Sequence, residues 1–303
     1  MNVFIAGGSG TIGLPLVRAL VVSGHQVTAL SRSSARHAEL RALGASVAVA
    51  DALDRDALVA AVVNARPTHV VHQLTALPKN GPRSAADLEA TNRLRVEGTS
   101  NLLDAAITAG TRRFVAGSFA ILSERDHPAP AAPADAAAVA VRSMETQVLD
   151  ATRSGSIEGV VLRYGMFYGL DVPSTMAMID MVRRRRLPVV RGDRGQLPLI
   201  QIDDAVGATV LALDRAPAGS AYDIVDDRAV SLTEIADTIA EYAGAKRPLR
   251  VPAWIPRLLA PDMARMTSVQ APLSNAKARS ELGWRPAYPT MREGLARIQR
   301  QAA

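Results

Sequence analysis

No cysteine occurs among the 303 residues, which excludes disulfides, thiolate nucleophiles and cysteine-ligated metal. The five histidines are scattered, with no HxH or HxxxH spacing, so a zinc site is not expected and the metal expectation is none. Aromatic residues make up only 4% of the chain. No apolar run approaches the length of a membrane span, and MNVFIAGGSG has no basic segment ahead of its first apolar run. The chain is therefore expected to be soluble and cytoplasmic, with no membrane partner. Lysine is nearly absent too (Lys79, Lys246 and Lys277), so the net charge of +6 is carried by arginine. The densest cluster, Arg183 to Arg186, suits a solvated helix end or the attraction of an acidic ligand. No aromatic residues interleave with it, so nucleic acid is not an expected partner.

The residues that are present alternate two patterns. NVFIAG (2–7), QVTALS (26–31), SVAVAD (46–51), HVVHQL (69–74), RFVAGS (113–118) and GVVLRY (159–164) are short, nearly continuous apolar runs. Between them lie helix-period stretches such as LPLVRALVVSG and NRLRVEGTSNLLDAAITAG. Gly24, Gly44 and Gly110 stand where helix C-caps should. Buried strands alternating with helices predict an α/β fold, a doubly wound parallel sheet of Rossmann type. After Gly165 prolines become frequent and methionines gather at 166, 176, 178, 181, 263 and 266. This suggests a smaller, mostly C-terminal substrate lobe. The expected division is 1–165, together with 196–228, for the nucleotide-binding domain, and 166–195 with 229–303 for the lobe; AYDIV (221–225) reads as one more core strand. HPAPAAPADAAA (127–138) reads as a loop leading into a helix.

AGGSGTIG (6–13) is the strongest local signal, because it follows a strand and opens a helix. Gly8, Gly10 and Gly13 satisfy GxGxxG, and Gly7, Gly10 and Gly13 satisfy GxxGxxG. Such glycines allow a tight turn and close approach of backbone N–H groups to a pyrophosphate at the helix N-terminus. An NAD site carries an acidic residue at the second strand end, about 20 residues on. This chain has Ser31, Arg32, Ser33, Ser34 and Arg36 there, without a carboxylate. An arginine among small hydroxyls suits a 2′-phosphate, so NADP(H) is the expected cofactor. Arg32 stacked on adenine would be compatible with either nucleotide.

These residues resemble the extended short-chain dehydrogenases/reductases, the NAD-dependent epimerase/dehydratase family, over nearly the whole chain. ADALD (50–54) is similar to the family's third strand end, and VVHQLTAL (70–77) to VVHLAA. ATNRLRVEGTSNLLDAA (90–106) resembles N-V-x-G-T-x-N-L-L-x-A-A. LRYGMFYG (162–169) resembles LRxxNVYG, QIDDAVGATVLAL (201–213) resembles VxVDDVAxA, and ELGWRP (281–286) matches a C-terminal signature. The resemblance implies cofactor contacts from Gly7, Ser9, Gly10, Thr11, Ile12, Gly13, Arg32, Ser33, Asp51 (toward adenine), Ala52, Leu74, Thr75, Ala76, Tyr164 and Met166. It implies substrate contacts from Gln73, Phe119, Met144, Phe167 and Tyr168.

The family's Tyr-x-x-x-Lys pair is missing. Matching RSMETQVL to RSKxxxExL puts the lysine position on Met144 and the tyrosine position on Ala140. Ungapped matching puts Phe119 where the family has Ser or Thr, and leaves Ser118 as the one candidate catalytic hydroxyl. Tyr164, Tyr168, Thr75, Gln73 and His127 are the remaining candidate donors. Adding hydride to a ketone creates an alkoxide that must be protonated, work that a general acid speeds by roughly 10²–10⁴-fold. A hydroxyl beside the substrate carbonyl would quench it by proximity. The methionines, Trp254 and Trp284 suit an apolar cleft or the lobe's own core. The expectation is an NADPH-dependent ketoreductase of a bulky, largely apolar aromatic small molecule, resembling atypical family members of angucyclinone antibiotic pathways. A non-catalytic NADP(H)-binding sensor or scaffold, and a nucleotide-sugar epimerase or dehydratase, are the alternatives. Oligomeric state is not legible.

Overall fold

The computed structural model describes residues 1–78, 84, 86–121, 136–254, 271 and 273–302. In chain order the first half runs β1 (Asn2–Ala6), α1 (Gly13–Val22), β2 (Gln26–Leu30), α2 (His37–Ala42), β3 (Ser46–Ala48), α3 (Arg55–Ala65) and β4 (His69–His72). Next come α4 (Glu89–Arg93), a π-turn (Leu94–Gly98), α5 (Thr99–Thr108), β5 (Arg113–Phe119), α6 (Ala136–Arg153) and β6 (Glu158–Tyr164). The second half holds β7 (Met166–Tyr168), α7 (Pro173–Arg183), β8 (Val189–Val190), β9 (Leu199–Gln201), α8 (Ile202–Arg215) and β10 (Ala221–Ile224). It closes with α9 (Leu232–Tyr242), β11 (Arg250–Val251), α10 (Ala276–Leu282) and α11 (Met291–Ala302).

Seven strands form one sheet in the order β10-β6-β5-β4-β1-β2-β3, each neighbouring pair parallel. The expected α/β doubly wound sheet is therefore observed, and every apolar run named from the sequence is a strand in it. Val3, Ile5, Val71, Val115 and Val160 face one core with α1, α8 and α10, whereas Phe4, Val70, Phe114 and Val161 face a second core with α3, α5 and α6. Both faces are buried, which is why the strands read as unbroken apolar runs. Gly24, Gly44 and Gly110 adopt φ of 79°, 90° and 67°, the left-handed conformation that ends a helix.

Order reverses between β1 and β4, where a doubly wound sheet opens a crevice at its carboxyl edge. A third core lies off the sheet, where Tyr168, Ile179, Leu199, Ile235, Ile239 and Leu295 pack together. The C-terminal segment is fastened to α8 at one residue. The Asp204 carboxylate accepts the backbone N–H groups of Ala287 and Tyr288 at 2.8 and 2.9 Å, and its carbonyl accepts the Trp284 indole N–H at 3.1 Å. Trp284 is thus buried in the first core, not in a substrate cleft, and Trp254 is 65% exposed. Met263 and Met266 lie outside the described residues, as does His127.

Candidate functional site

The turn after β1 is built around clearances that only glycine provides. A Cβ on Gly7, which has φ of 91°, would stand 2.5 Å from the Gln73 carbonyl oxygen. On Gly13 it would stand 2.1 Å from the Gly7 carbonyl oxygen. Gly10 is exposed, its N–H donates to the Gly7 carbonyl at 3.0 Å, and an added Cβ would meet only that carbonyl, at 3.2 Å. Ser9 and Thr11 stand at the rim, while Ile12 is buried beneath it and opens α1 without any side-chain cap. The uncapped helix end, with its N–H groups and positive dipole, suits an anion. A nicotinamide dinucleotide fits these residues: the pyrophosphate would lie over Gly10 and the first turn of α1.

Arg32 and Asp51, at the ends of β2 and β3, meet in an exposed ion pair of 2.9 Å. The Leu53 N–H donates to the other Asp51 oxygen at 3.0 Å. That backbone bond, and then Arg32, hold the carboxyl below its ordinary range. Ser33 is exposed beside Arg32, and Ala52 is buried behind Asp51. Leu74, Thr75 and Ala76 follow β4 on the other side of the crevice, with the Ala76 N–H donating to Thr91 Oγ1 at 2.9 Å.

At the opposite end stands α6. Its buried face consists of Ala137, Ala140, Val141, Met144, Glu145 and Val148. Glu145 accepts from Ser118 Oγ at 2.5 Å and takes both Nε and Nη2 of Arg163, at 3.0 and 2.5 Å. In this geometry the side chain of Ser118, the expected catalytic hydroxyl, is turned into α6 and donates its proton to a buried carboxylate. Glu145 also bears on the register. The family pattern has Glu four residues after its lysine; Glu145 stands four after Val141, which moves the lysine and tyrosine positions to Val141 and Ala137. In either register both positions are buried and apolar, so neither register puts a proton donor at these positions of α6.

Three other expected donors are also held within the protein interior. The Tyr164 ring belongs to the first core; its hydroxyl bonds Gln73 Nε2 at 3.0 Å and Thr209 Oγ1 at 2.7 Å, and burial raises it to about 12. Gln73 is buried in that same arrangement, fitted over Gly117, where a Cβ would come within 2.2 Å of its side-chain oxygen. Tyr168 is 2% exposed in the third core, and burial, then the Asp226 charge, hold its proton far above the usual phenol range. Residue parity explains these outcomes, since alternate positions of a short strand face opposite layers. Phe119, Met166 and Phe167 remain partly buried, with Phe167 5.3 Å from the Tyr164 ring. A cleft of about 630 Å³ in the C-terminal half is lined by Asp193, Thr233, Asp237, Arg250 and Arg292. It contains none of the expected residues, and Arg250 and Arg292 are already paired, with Asp237 and Glu241.

Residues 3–225 match the NAD dependent epimerase/dehydratase family. A 3-diazoavenalumate denitrifying reductase of Streptomyces sp is 38% identical over 98% of this chain and 100% of that protein. A 4-hydroxy-2-methyl-3-oxo-4-farnesyl-3,4-dihydroquinoline-1-oxide ketoreductase of Stigmatella aurantiaca is 27% identical, covering 94% of this chain and 92% of its own length. Among solved structures, the UDP-glucose 4-epimerase of Thermus thermophilus, in complex with NAD, superposes with a TM-score of 0.75 at 24% identity, covering 100% of both chains. That likeness concerns the fold.

Proposed function

The chain belongs to the NAD dependent epimerase/dehydratase family, and from that premise we propose that it is an NADPH-dependent reductase of an aromatic molecule whose reaction draws no proton from the protein. One observation carries this reading: the glycine turn leaves room at the start of α1 while the α6 face that should bear the acid is closed by Ala137, Ala140, Val141 and Met144. When bound, a nicotinamide dinucleotide supplies a hydride. A ketone receiving it becomes an alkoxide and must find a proton, whereas an aryl diazonium group has no such need. The aryl C–N bond breaks, an aryl C–H bond forms, and the C–N electron pair leaves with dinitrogen. No oxygen anion is left to quench, so an apolar wall is no handicap. The relative named for a denitrifying reductase, at 38% identity, supports this acceptor class.

Within this reading the backbone from Gly7 to Gly13 holds the pyrophosphate and Arg32 takes the 2′-phosphate. Asp51 orients adenine, and the Met166–Phe167 segment presses on the nicotinamide end. The apolar face of α6 keeps water from the reacting carbon, where hydrolysis of a diazonium group would compete. A second acceptor, a ketone carrying its own neighbouring hydroxyl, is favoured by the ketoreductase relative. It requires the substrate to do by proximity what the missing acid does elsewhere.

One assay separates the readings. The protein is given NADPH deuterated at C4 and, in parallel, an ¹⁵N-labelled hydroxyaryl diazonium acid and a hydroxyaryl ketone. Release of ¹⁵N₂ with deuterium on the ring, above the enzyme-free rate, is the expected result. Deuterium on a carbinol carbon selects the ketone. Tight NADPH binding without turnover of either would leave only a nucleotide-binding sensor or scaffold.

A further inference from the structure

The π-turn Leu94–Gly98 interrupts what would otherwise be one helix from Glu89 to Thr108. Such turns are uncommon and are found frequently at functional sites. Arg95 lies in it, at the asparagine position of N-V-x-G-T, and is only 9% exposed. The other arginines set into the sheet are neutralised. Arg113 pairs with Glu158 at 2.7 Å and donates to the carbonyls of Ala212 and Leu213; Arg163 pairs with Glu145. Arg95 has no carboxylate and no hydrogen-bond acceptor among the described residues.

His72, beside it, offers no acceptor. The Leu74 N–H donates to His72 Nδ1 at 3.2 Å, which leaves Nε2 to donate to Thr99 Oγ1 at 2.8 Å. Burial, and then the Arg95 charge, lower that imidazole to about 4, so it stays neutral. A guanidinium largely withdrawn from water, with no carboxylate beside it, is costly and favours an anion where its N–H groups still meet solvent. The π-turn packs on α6, where Gln147 Nε2 donates to the Val96 carbonyl at 3.2 Å. It therefore borders the helix with the apolar stretch Ala137–Met144, and it adjoins the end of β4, from which Leu74 to Ala76 line the crevice.

We propose that Arg95 is a specificity-determining residue that receives a carboxylate of the substrate, so that the molecules reduced are aromatic acids. This deepens the reductase reading and rests on it. The planar fork of arginine matches a carboxylate bidentately, and a substrate fixed by its acid group needs no polar anchor on α6.

The test is calorimetric titration, with and without NADP⁺, of benzoate, 4-hydroxycinnamate and methyl 4-hydroxycinnamate, alongside NADPH binding followed by fluorescence. The acid is expected to bind about ten- to a hundredfold more tightly than its ester. Arg95→Met should erase that preference and leave NADPH affinity unchanged, and Arg95→Lys should restore part of it. On the wild-type protein alone, benzoate should raise the melting midpoint and methyl benzoate should not. Equal affinity for acid and ester, no binding of either acid, or an acid preference that survives Arg95→Met overturns the assignment. Loss of NADPH affinity in Arg95→Met overturns it as well, by giving the guanidinium to the cofactor. A wild-type protein that prefers the acid yet binds no NADPH strikes the reductase reading and not Arg95.

Discussion

Arg32 and the apolar positions of α6 make opposite demands on a substitution. Arg32 is exposed and already paired with Asp51, so a 2′-phosphate would exchange one anionic partner for another. Its truncation removes a charge-assisted fork worth about 1.5–3 kcal/mol. Arg32→Ala is therefore expected to weaken NADPH binding by roughly 10- to 100-fold and to change NADH affinity little. Fluorescence titration of both nucleotides reads this out, and an equal loss for the two would return Arg32 to adenine stacking. At α6 the informative change is addition. Ala140→Tyr with Met144→Lys, or Ala137→Tyr with Val141→Lys, places the family's acid on a buried apolar face. If the proposed diazonium reduction holds, neither pair should raise dinitrogen release. A recovery of roughly 10²–10⁴-fold on a ketone would instead mark a decayed ordinary ketoreductase.

Among the elements, the glycine turn separates folding from binding. Gly13→Ala sets a Cβ 2.1 Å from a backbone oxygen that cannot yield, whereas the same change at the exposed Gly10 meets one oxygen at 3.2 Å. Gly13→Ala should lower the melting midpoint sharply. Gly10→Ala should leave it nearly intact and still weaken dinucleotide binding, because the methyl would occupy the place proposed for the pyrophosphate; paired melting and titration curves check both. The sheet and this turn are legible in sequence because buried parallel strands must be apolar throughout and because Gly7 and Gly13 leave no room for a Cβ. The site's catalytic end is not. Tyr164 and Tyr168 are read as site residues from their neighbourhood in sequence, yet strand parity turns both into cores. The π-turn is invisible in NRLRVEGTSNLLDAAITAG, which has the periodicity of one unbroken helix. The isolation of Arg95 is equally hidden, since Glu97 stands two residues away and spends its carboxylate on Arg93. The bond from Glu145 to Ser118 spans 27 residues and that to Arg163 spans 18, separations at which no local pattern operates.

For the molecule as a whole, pH acts through Asp226. Its carboxyl is buried with Tyr168, and burial, then the charges of Asp204 and Asp227, raise it to about 8 from 3.8. Between those two values the folded protein holds a proton that the unfolded chain releases, so this group's contribution falls as pH rises from about 4 to 8. His72 acts the other way: with its folded value about 4 against 6.5, its contribution is complete above 6.5 and is lost as pH falls toward 4. Asp226→Asn is therefore expected to raise the melting midpoint at pH 8, by roughly 2–4 °C for each kcal/mol recovered. The gain should shrink to nothing by about pH 4, and a gain independent of pH would contradict the assignment.

The fastening at Asp204 has a consequence for how the chain is made. Trp284 packs into the first core and donates to the Asp204 carbonyl, and the backbone of residues 287 and 288 donates to the carboxylate at the start of α8. Translation delivers these residues after every strand of the seven-stranded sheet. A ribosome-bound chain that still lacks the indole should therefore present the part of the first core beside the start of α8 open to proteases and chaperones. Purified chains ending at residues 280 and 303 would differ abruptly in resistance to digestion, a step that a sheet complete without its C-terminal strap would not produce.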